Sequence, residues 1–170
     1  QEAFYYQYSL DNATWQSSTL FSGLAAGIYT VYFREANGCF GSLSITVSQP
    51  TALSASATTV PVVCNGQSNG IIRIAGAGGV SPYQFSLNGT TWQPVDSFLV
   101  AAGAYTIQIR DNNGCTTTIP ISVTEPNTLS AVSSNTNASC NGGNDGQIVI
   151  TATGGNSNYQ YSIDGGLTWQ

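Results

Sequence analysis

The strongest constraint on the fold is an internal repeat with a period of 76 residues. The segment that ends at Cys39, AAGIYTVYFREANGC, returns as AAGAYTIQIRDNNGC, which ends at Cys115. Likewise CNGQSNGIIRI, which begins at Cys64, returns as CNGGNDGQIVI from Cys140. A further motif occurs three times, as YQYSLDNATW, YQFSLNGTTW and YQYSIDGGLTW. Such a period is typical of tandem modules, in which each unit is one small fold.

The repeat predicts three segments. Residues 51–126 form one complete repeat, residues 1–50 the C-terminal part of the preceding repeat, and residues 127–170 the N-terminal part of the next. Because both flanking segments match only part of a unit, we expect the sequence to come from a longer array.

Within a unit, apolar residues alternate with polar ones, which is typical of β-strands with one buried face. The alternating series are Leu53, Ala55 and Ala57; Ile72 and Ile74; Tyr83, Phe85 and Leu87; Tyr105, Ile107 and Ile109; and Ile119, Ile121 and Val123. No helical periodicity occurs. We therefore predict an all-β fold of tandem Ig-like β-sandwich repeats of about 76 residues, with six or seven strands each. A small barrel is the alternative.

Three local features bear on the strand arrangement. Asn88 and Gly89 predict a two-residue hairpin. Pro120 lacks a backbone N–H, so its strand is expected at a sheet edge. Residues 94–103, PVDSFLVAAG, are compatible with a loop or with a further strand, and the sequence leaves both open.

Charge and hydropathy narrow the possible partners. The formal net charge is −5 and the only cationic residues are Arg34, Arg73 and Arg110, so there is no basic cluster for nucleic-acid binding. No apolar run approaches the roughly 18 residues of a membrane-spanning helix. No signal-peptide pattern occurs either, so any export or anchoring signal is expected outside this sequence.

Few side chains are suited to catalysis. The chain has no histidine and no lysine, which excludes Ser-His-Asp triads, Cys-His pairs, Schiff bases and the usual zinc sites. Loops 111–114 and 141–146 offer one carboxylate each, fewer than a calcium site uses, and are interpreted as turns. We predict no catalytic residue, no cofactor and no metal site, and a protein that is not an enzyme.

A tryptophan recurs in each copy of the threefold motif, as Trp15, Trp92 and Trp169. Exposed aromatic rings can stack on sugars, so these three residues are candidate surface contacts. The alternative is a core or hairpin anchor, because aromatic side chains dominate burial in small sandwiches.

The order of the motifs resembles the SprB repeat: CNGxxxGxI, then PYQFSLNG, then AAGxYTxxxRDNNGC, then a strand that ends in VTEP. The first and third copies lack the proline of SPYQFS. The resemblance implies a segment of a giant cell-surface adhesin of gliding Bacteroidota. It further implies extracellular location, export by the type IX secretion system, and a part in attachment and gliding motility.

Several functions are compatible with this resemblance. The repeats can act as spacers in a semi-rigid filament, in which neighbouring repeats are the main partners and short SQPTAL and TEPNTL linkers limit bending. They can instead bind surface polysaccharide or substratum weakly and many times over. A third alternative is a non-catalytic spacer of a large secreted polysaccharide-degrading enzyme.

The four cysteines predict disulfides, which persist outside the reducing cytosol. Three regular schemes are possible. Cys64 can pair with Cys115 inside the repeat, with Cys39 and Cys140 bonded outside this chain. Cys39 can pair with Cys64, and Cys115 with Cys140. Finally, the cysteine before GIIRI can reach the NGC of the following repeat.

The number of strands between Cys64 and Cys115 separates these schemes. If residues 94–103 form a loop, both cysteines lie at the same end of the sandwich; a further strand there puts them at opposite ends, ~20 Å apart and beyond the ~7 Å Cα limit. We favour the Cys64–Cys115 bond, because each repeat then has its own covalent closure.

Overall fold

The computed structural model describes residues 5–170, and the chain divides into two compact units, Gln1–Thr51 and Ala52–Gln170. Residues 1–4 of the predicted segment 1–50 lie outside the described residues. No helix occurs among residues 5–170, and all their strand pairs are antiparallel. The all-β prediction is therefore confirmed. The repeat length and the division into three segments stay predictions.

The first unit is a single three-stranded sheet in the order β1-β2-β3. Its strands are β1 Tyr6–Ser9, β2 Gly27–Glu35 and β3 Phe40–Val47. The tight connection from β2 to β3 is a turn in which Gly38 has a positive φ of 87°, a conformation that glycine adopts without strain.

Residues 52–126 of the second unit form two three-stranded sheets, in the orders β4-β5-β7 and β6-β8-β9. The strands are β4 Ser54–Val60, β5 Gly70–Ala77, β6 Gln84–Ser86, β7 Ser97–Val100, β8 Gly103–Arg110 and β9 Thr116–Val123. The sheets face each other as a sandwich, with β4 of one beside β9 of the other. Neither sheet closes on itself, which rules out the barrel.

The core of this complete repeat comes from the predicted alternating series. Ile72, Ile107 and Ile109 are fully buried. The buried cluster as a whole is Val62, Ile72, Ile74, Phe85, Val100, Ile107, Ile109 and Val123. All of its members belong to residues 62–123, so the core of this repeat is its own.

Residues 94–103 contain a strand, β7, which settles the alternative that the sequence leaves open. β7 pairs with β5 from Gly70↔Val100 to Arg73↔Ser97. It forms because Phe98 and Val100 pack against the core. The repeat thus has six strands, β4 to β9.

The edge position of Pro120 is confirmed, because β9 is the outer strand of its sheet, where Pro120 pairs with Thr106. The two-residue hairpin at Asn88 and Gly89 is wrong. Phe85 and Gln93 form a single bridge, and residues 86–92 make a longer loop between them. The reason is that side chains of this loop accept hydrogen bonds from its own backbone N–H groups, as described below.

Residues 127–170, also in the second unit, contain one two-stranded sheet made of β10 Ser130–Thr136 and β11 Gln147–Thr153. Tyr161 and Gln170 exchange two backbone hydrogen bonds beyond it, at 2.8 and 3.0 Å. This pair matches the Phe85–Gln93 bridge of the complete repeat.

Candidate functional sites: the tryptophan loop, the aspartate turn and the repeat junction

The threefold motif folds into the same loop each time, here called the tryptophan loop. Its residues are 9–16, 86–93 and 162–170. In the complete repeat, buried Ser86 accepts the N–H of Gly89 at 2.9 Å, and Asn88 Oδ1 accepts the N–H of Thr91 at 2.8 Å. Because these side chains satisfy the loop's own backbone, the loop is rigid without strand pairing.

Aspartate replaces Asn88 in the other two copies. Asp11 Oδ1 accepts the N–H groups of Ala13 and Thr14 at 2.8 and 2.7 Å, and its other oxygen accepts the Thr14 hydroxyl. Asp164 bonds Leu167 and Thr168 in the same way. These bonds favour the ionised form, so they hold the pKa of each carboxyl well below its usual range, chiefly through the Thr14 hydroxyl for Asp11 and the Ser162 hydroxyl for Asp164.

The tryptophan of the loop lies under an arginine of the neighbouring strand. The guanidinium of Arg110 is 4.3 Å from the ring centre of Trp92, and that of Arg34 is 4.0 Å from Trp15. Each arginine also donates its Nε to a glutamine side chain, Arg110 to Gln84 at 2.7 Å and Arg34 to Gln7 at 3.0 Å.

This stacking bears on both interpretations of the tryptophans, and their contact with an external ligand stays a prediction. Trp15 and Trp92 are half-buried, and one face of each ring is occupied by a guanidinium. They act as loop anchors with one open face at most. Trp169 is 60 % exposed, and its indole N–H donates to Gly166 O at 3.1 Å.

A shallow cavity of about 370 Å³ lies beside the Arg110 stack. It is lined by Pro82, Tyr83, Gln84, Pro94, Arg110, Asp111, Asn112 and Gly114. It combines one cation, one carboxylate that is already bonded to backbone N–H groups, two amides and flat apolar surfaces, and cations, amides and apolar surfaces are groups that carbohydrates use for contact.

The sequence DNNGC forms the aspartate turn, residues 111–115. Asp111 is 5 % exposed, and its carboxylate accepts the N–H groups of Val80, Asn113 and Cys115 at 2.9, 3.0 and 2.9 Å. The pKa of Asp111 is lowered, first of all by the bond from Val80. Its oxygens are used by the backbone, which agrees with a turn rather than a calcium ligand.

The structure corrects the favoured disulfide. Cys39, Cys64, Cys115 and Cys140 are all free and exposed. Cys64 lies before β5, at the end of the sandwich where Gly66 N donates to Glu125 at 2.7 Å. Cys115 lies at the other end, because its turn is bonded to Val80, which follows β5.

The whole length of β5, eight residues, therefore separates the two thiols, roughly 25 Å at ~3.3 Å per residue. A disulfide needs Cα atoms within ~7 Å, so the predicted bond between Cys64 and Cys115 is wrong for this fold. The strand β7 is the cause, since it adds the crossing that puts the cysteines at opposite ends. Cys39 and Cys140 have no partner among the described residues either, and the Glu35 side chain raises the pKa of the Cys39 thiol by accepting its hydrogen bond and by its charge.

The second unit also contains a joint between the complete repeat and residues 127–170, here called the repeat junction. Asn65 donates to Pro126 O at 3.0 Å and accepts the Thr128 hydroxyl at 3.1 Å. From the following repeat, Asn156 Nδ2 donates to Val63 O at 2.8 Å. The junction therefore binds the linker and the next repeat to one loop, residues 63–65.

The linker residues Asn127 and Thr128 also contact the glycines that precede Asn156. Gly155 N donates to Asn127 O at 2.8 Å, and a Cβ on Gly154 would clash with Thr128 O. A cavity of about 490 Å³ remains between these residues, and its lining includes Cys64, Pro126 and Tyr159.

The sequence analysis does not predict this junction, because asparagine is common in turns and neither Asn65 nor Asn156 stands out from the other asparagines. A usable signal exists: Asn65 recurs as Asn141 after the matched cysteine, whereas Asn156 replaces Val80 at an otherwise matched position.

Two searches of residues 5–170 concern other kinds of site. Three or more His, Cys, Asp or Glu side chains do not come together there in a way that would hold a metal ion. Nor does that part of the chain contain a helix with the length and apolar character to cross a membrane.

Comparison with known proteins gives one result at the level of family. The family model of the SprB repeat matches residues 56–91, which cover most of β4 with β5 and β6, and residues 132–168, which cover most of β10 with β11. No curated protein and no solved structure matches the chain. This family is associated with cell-surface proteins and suggests a repeat segment of a cell-surface adhesin. The chain thus carries two matches to the SprB repeat, one in the complete repeat and one in the repeat that follows it.

Proposed function

We propose that this chain is a stalk segment of a secreted cell-surface adhesin, in which repeats docked head to tail form an extended filament for attachment and gliding. The filament is built to transmit force rather than to catalyse a reaction. Its partners are the neighbouring repeats, with the type IX secretion and gliding machinery engaged by other parts of the protein.

The repeat junction is the observation that carries this proposal. Two side-chain bonds cross between the consecutive repeats: Asn156 Nδ2 donates to Val63 O at 2.8 Å, and the Thr128 hydroxyl donates to Asn65 Oδ1 at 3.1 Å. A linker without such bonds would let each repeat swing freely. Bonds on both sides of residues 124–129 restrict bending, as a filament that transmits force requires.

A non-catalytic role is supported by the chemistry of the available side chains. The acids with a lowered pKa, Asp11, Asp111, Asp145 and Asp164, each accept hydrogen bonds from backbone N–H groups, within their own loops and, for Asp111, also from Val80. General acid or base catalysis needs a group poised to exchange protons near the working pH. These carboxylates are instead held ionised as structural acceptors.

Antibody blocking tests the proposal directly. Fab fragments raised against residues 52–170 are applied to intact cells that produce the protein, with Fab fragments against an intracellular protein as the control. We expect surface labelling and a loss of attachment and gliding. Labelling only after cells are broken, or surface labelling with normal attachment and movement, contradicts it.

Glycan binding is a second candidate, favoured by the cavity beside Arg110. Its guanidinium is fixed by Trp92 and Gln84, so it is held ready to meet a carboxylated or polyhydroxylated sugar. A glycan array probed with chains clustered on beads tests this, with Arg110→Gln as the variant and Arg73→Gln as the matched control. Binding lost only in Arg110→Gln supports the candidate; no bound sugar, or equal binding by both variants, rejects it.

A further inference from the structure

Cys64 lies at the face of the complete repeat on which the next repeat docks. Its neighbour Val63 accepts the Asn156 side chain at 2.8 Å, and Cys64 itself lines the junction cavity together with Asn156. The thiol is exposed and free. The following repeat thus approaches Cys64 through Asn156, which contacts the preceding residue and lines the same cavity.

The backbone around Asn156 repeats that around Val80. Gly154 and Gly155 have φ of 79° and 58°, and Gly78 and Gly79 have 70° and 58°. Tyr159 donates its hydroxyl to Gly154 O as Tyr83 does to Gly78 O. Asn156 thus occupies the place of Val80 in its own repeat.

In the complete repeat, the aspartate turn is hydrogen-bonded to Val80. Val80 N donates to Asp111 at 2.9 Å, and Asn112 N donates to Val80 O at 2.8 Å. The turn ends at Cys115, whose N–H is bonded to the same carboxylate at 2.9 Å. A cysteine that ends this turn is consequently held close to the residue at the Val80 position.

We infer that Cys64 forms a disulfide across the repeat junction with the cysteine that ends the aspartate turn of the following repeat. In a whole repeat that begins at residue 127, the aspartate turn is expected to be hydrogen-bonded to Asn156, which lies beside residues 63–65. The inference rests on the head-to-tail docking of the proposed function. It also explains why the two cysteines of one repeat lie at opposite ends, since one faces the next repeat and the other faces the previous one.

The bond forms by thiol–disulfide exchange with a small-molecule or protein disulfide as oxidant. One junction thiol loses its proton and attacks the oxidant, which gives a mixed disulfide and releases one thiolate. The second junction thiol loses its proton and displaces the remaining half of the oxidant. In sum, two thiols and one oxidant disulfide give the junction disulfide and two reduced thiols.

The test completes the last repeat within the full chain. A second copy of residues 94–126 is joined after Gln170, which matches Gln93, and the folded protein is oxidised with glutathione disulfide. We expect peptide mapping without reduction to find Cys64 bonded to the added copy of Cys115, with Cys39, the original Cys115 and Cys140 free or capped by glutathione. Cys64→Ser should leave the added cysteine unbonded, and the matched control Cys140→Ser should leave the cross-link intact.

A second chain keeps the inference testable in case the added segment of the first chain does not fold. Two copies of residues 51–126 in tandem each have a core of their own residues. With Ala52→Thr and Val80→Asn in the second copy, which restore the partners of Asn65 and Val63 at the junction, Cys64 of the first copy is expected to bond Cys115 of the second. In either chain, far-ultraviolet circular dichroism and protease resistance report folding. A free added cysteine, or a bond between any other pair, in a folded and oxidised chain overturns the inference while leaving the proposed adhesin role to its own antibody test.

Discussion

The complete repeat and the hairpin that follows it use equivalent residues but bury them to different extents. Ile72 and Ile74 of β5 are 0 % and 4 % exposed, whereas Ile148 and Ile150 of β11 are 70 % and 36 % exposed. β5 faces a second sheet, while the β10–β11 pair borders a cavity of about 550 Å³ lined by Leu129, Ile150, Tyr159, Tyr161 and Trp169, among others. The alternating pattern therefore determines the strand, but burial depends on the opposite sheet.

The first unit, which corresponds to the other sheet of the sandwich, is also less buried than the complete repeat. Its sheet matches β6, β8 and β9, yet Val31 and Phe33 are only half-buried where Ile107 and Ile109 are fully buried. Each flanking segment has one half of the sandwich. Stability is expected to concentrate in residues 52–126, where both halves are present.

The largest effect should come from truncating an isoleucine in the sandwich core. We expect Ile72→Ala to lower the free energy of unfolding by about 2–5 kcal/mol, through lost burial and a cavity. Ile148→Ala, the matched change on the exposed hairpin, should cost at most about 0.5 kcal/mol. Urea unfolding monitored by amide exchange, at β8 for Ile72→Ala and at β11 for Ile148→Ala, measures both losses. Equal losses would mean that the two repeats are equally packed.

Gly154→Ala should have the next largest effect and sharpen the comparison at the junction. Both Gly154 and Gly142 have positive φ, 79° and 80°, so alanine at either costs about 1–2 kcal/mol in backbone strain. Only at Gly154 does the added Cβ also clash with Thr128 O, whereas Gly142 faces open space. Amide exchange of Gly155 should accelerate in Gly154→Ala and not in Gly142→Ala, and acceleration in both would place the effect in the backbone alone.

A smaller loss is expected from the arginine stack. Arg110→Gln removes the cation over Trp92 and the bond to Gln84, so the complete repeat should lose about 0.5–1 kcal/mol. Exposed Arg73 on β5 is the matched control, and Arg73→Gln should change unfolding by less. The tryptophan fluorescence spectrum should shift only in Arg110→Gln; an unchanged spectrum would show that the ring environment does not depend on the arginine.

The smallest effect is a local response to acid that distinguishes the three tryptophan loops. The folded-state pKa of Asp11 and Asp164 is lowered, so their stabilisation is present above the ordinary aspartate pKa of about 4 and is lost as the pH falls below it. Asn88 does not titrate. In an NMR titration from about pH 6 downward, the amides of Thr14 and Thr168 should hold their shifts through the range in which an ordinary aspartate titrates and move only below it, whereas the amide of Thr91 should not move. Asp11→Asn should abolish the change at Thr14, and a midpoint near about pH 4 at Thr14 in the unaltered chain would contradict the lowered pKa.

Sequence alone predicts the strands of this protein better than their contacts. The alternation of Ile107 and Ile109 identifies β8, and Pro120 identifies an edge, because both depend on local chemistry. β7 stays undecided, since Phe98 and Val100 are too short a pattern to separate a strand from a loop. That single strand reverses the position of Cys115 relative to Cys64, so the disulfide prediction fails with it.

The repeat junction is the part that sequence could not predict. Asn65 and Asn156 bond backbone carbonyls of residues far away in the chain, and such partners have no local signature. The tryptophan loops are intermediate. Their recurrence is visible in the sequence, but the Arg110–Trp92 contact requires that β8 runs beside the loop.

Backbone ¹⁵N relaxation of the full chain tests the central claim most directly, namely that consecutive repeats are docked through the junction. If Asn65 and Asn156 hold them together, amides of β5 and β8 and those of β10 and β11 should report one common rotational correlation time. Asn65→Ala combined with Asn156→Ala should then shorten the value for β10 and β11 alone. A shorter correlation time for β10 and β11 in the unaltered chain would contradict the account, because the two repeats would then move independently.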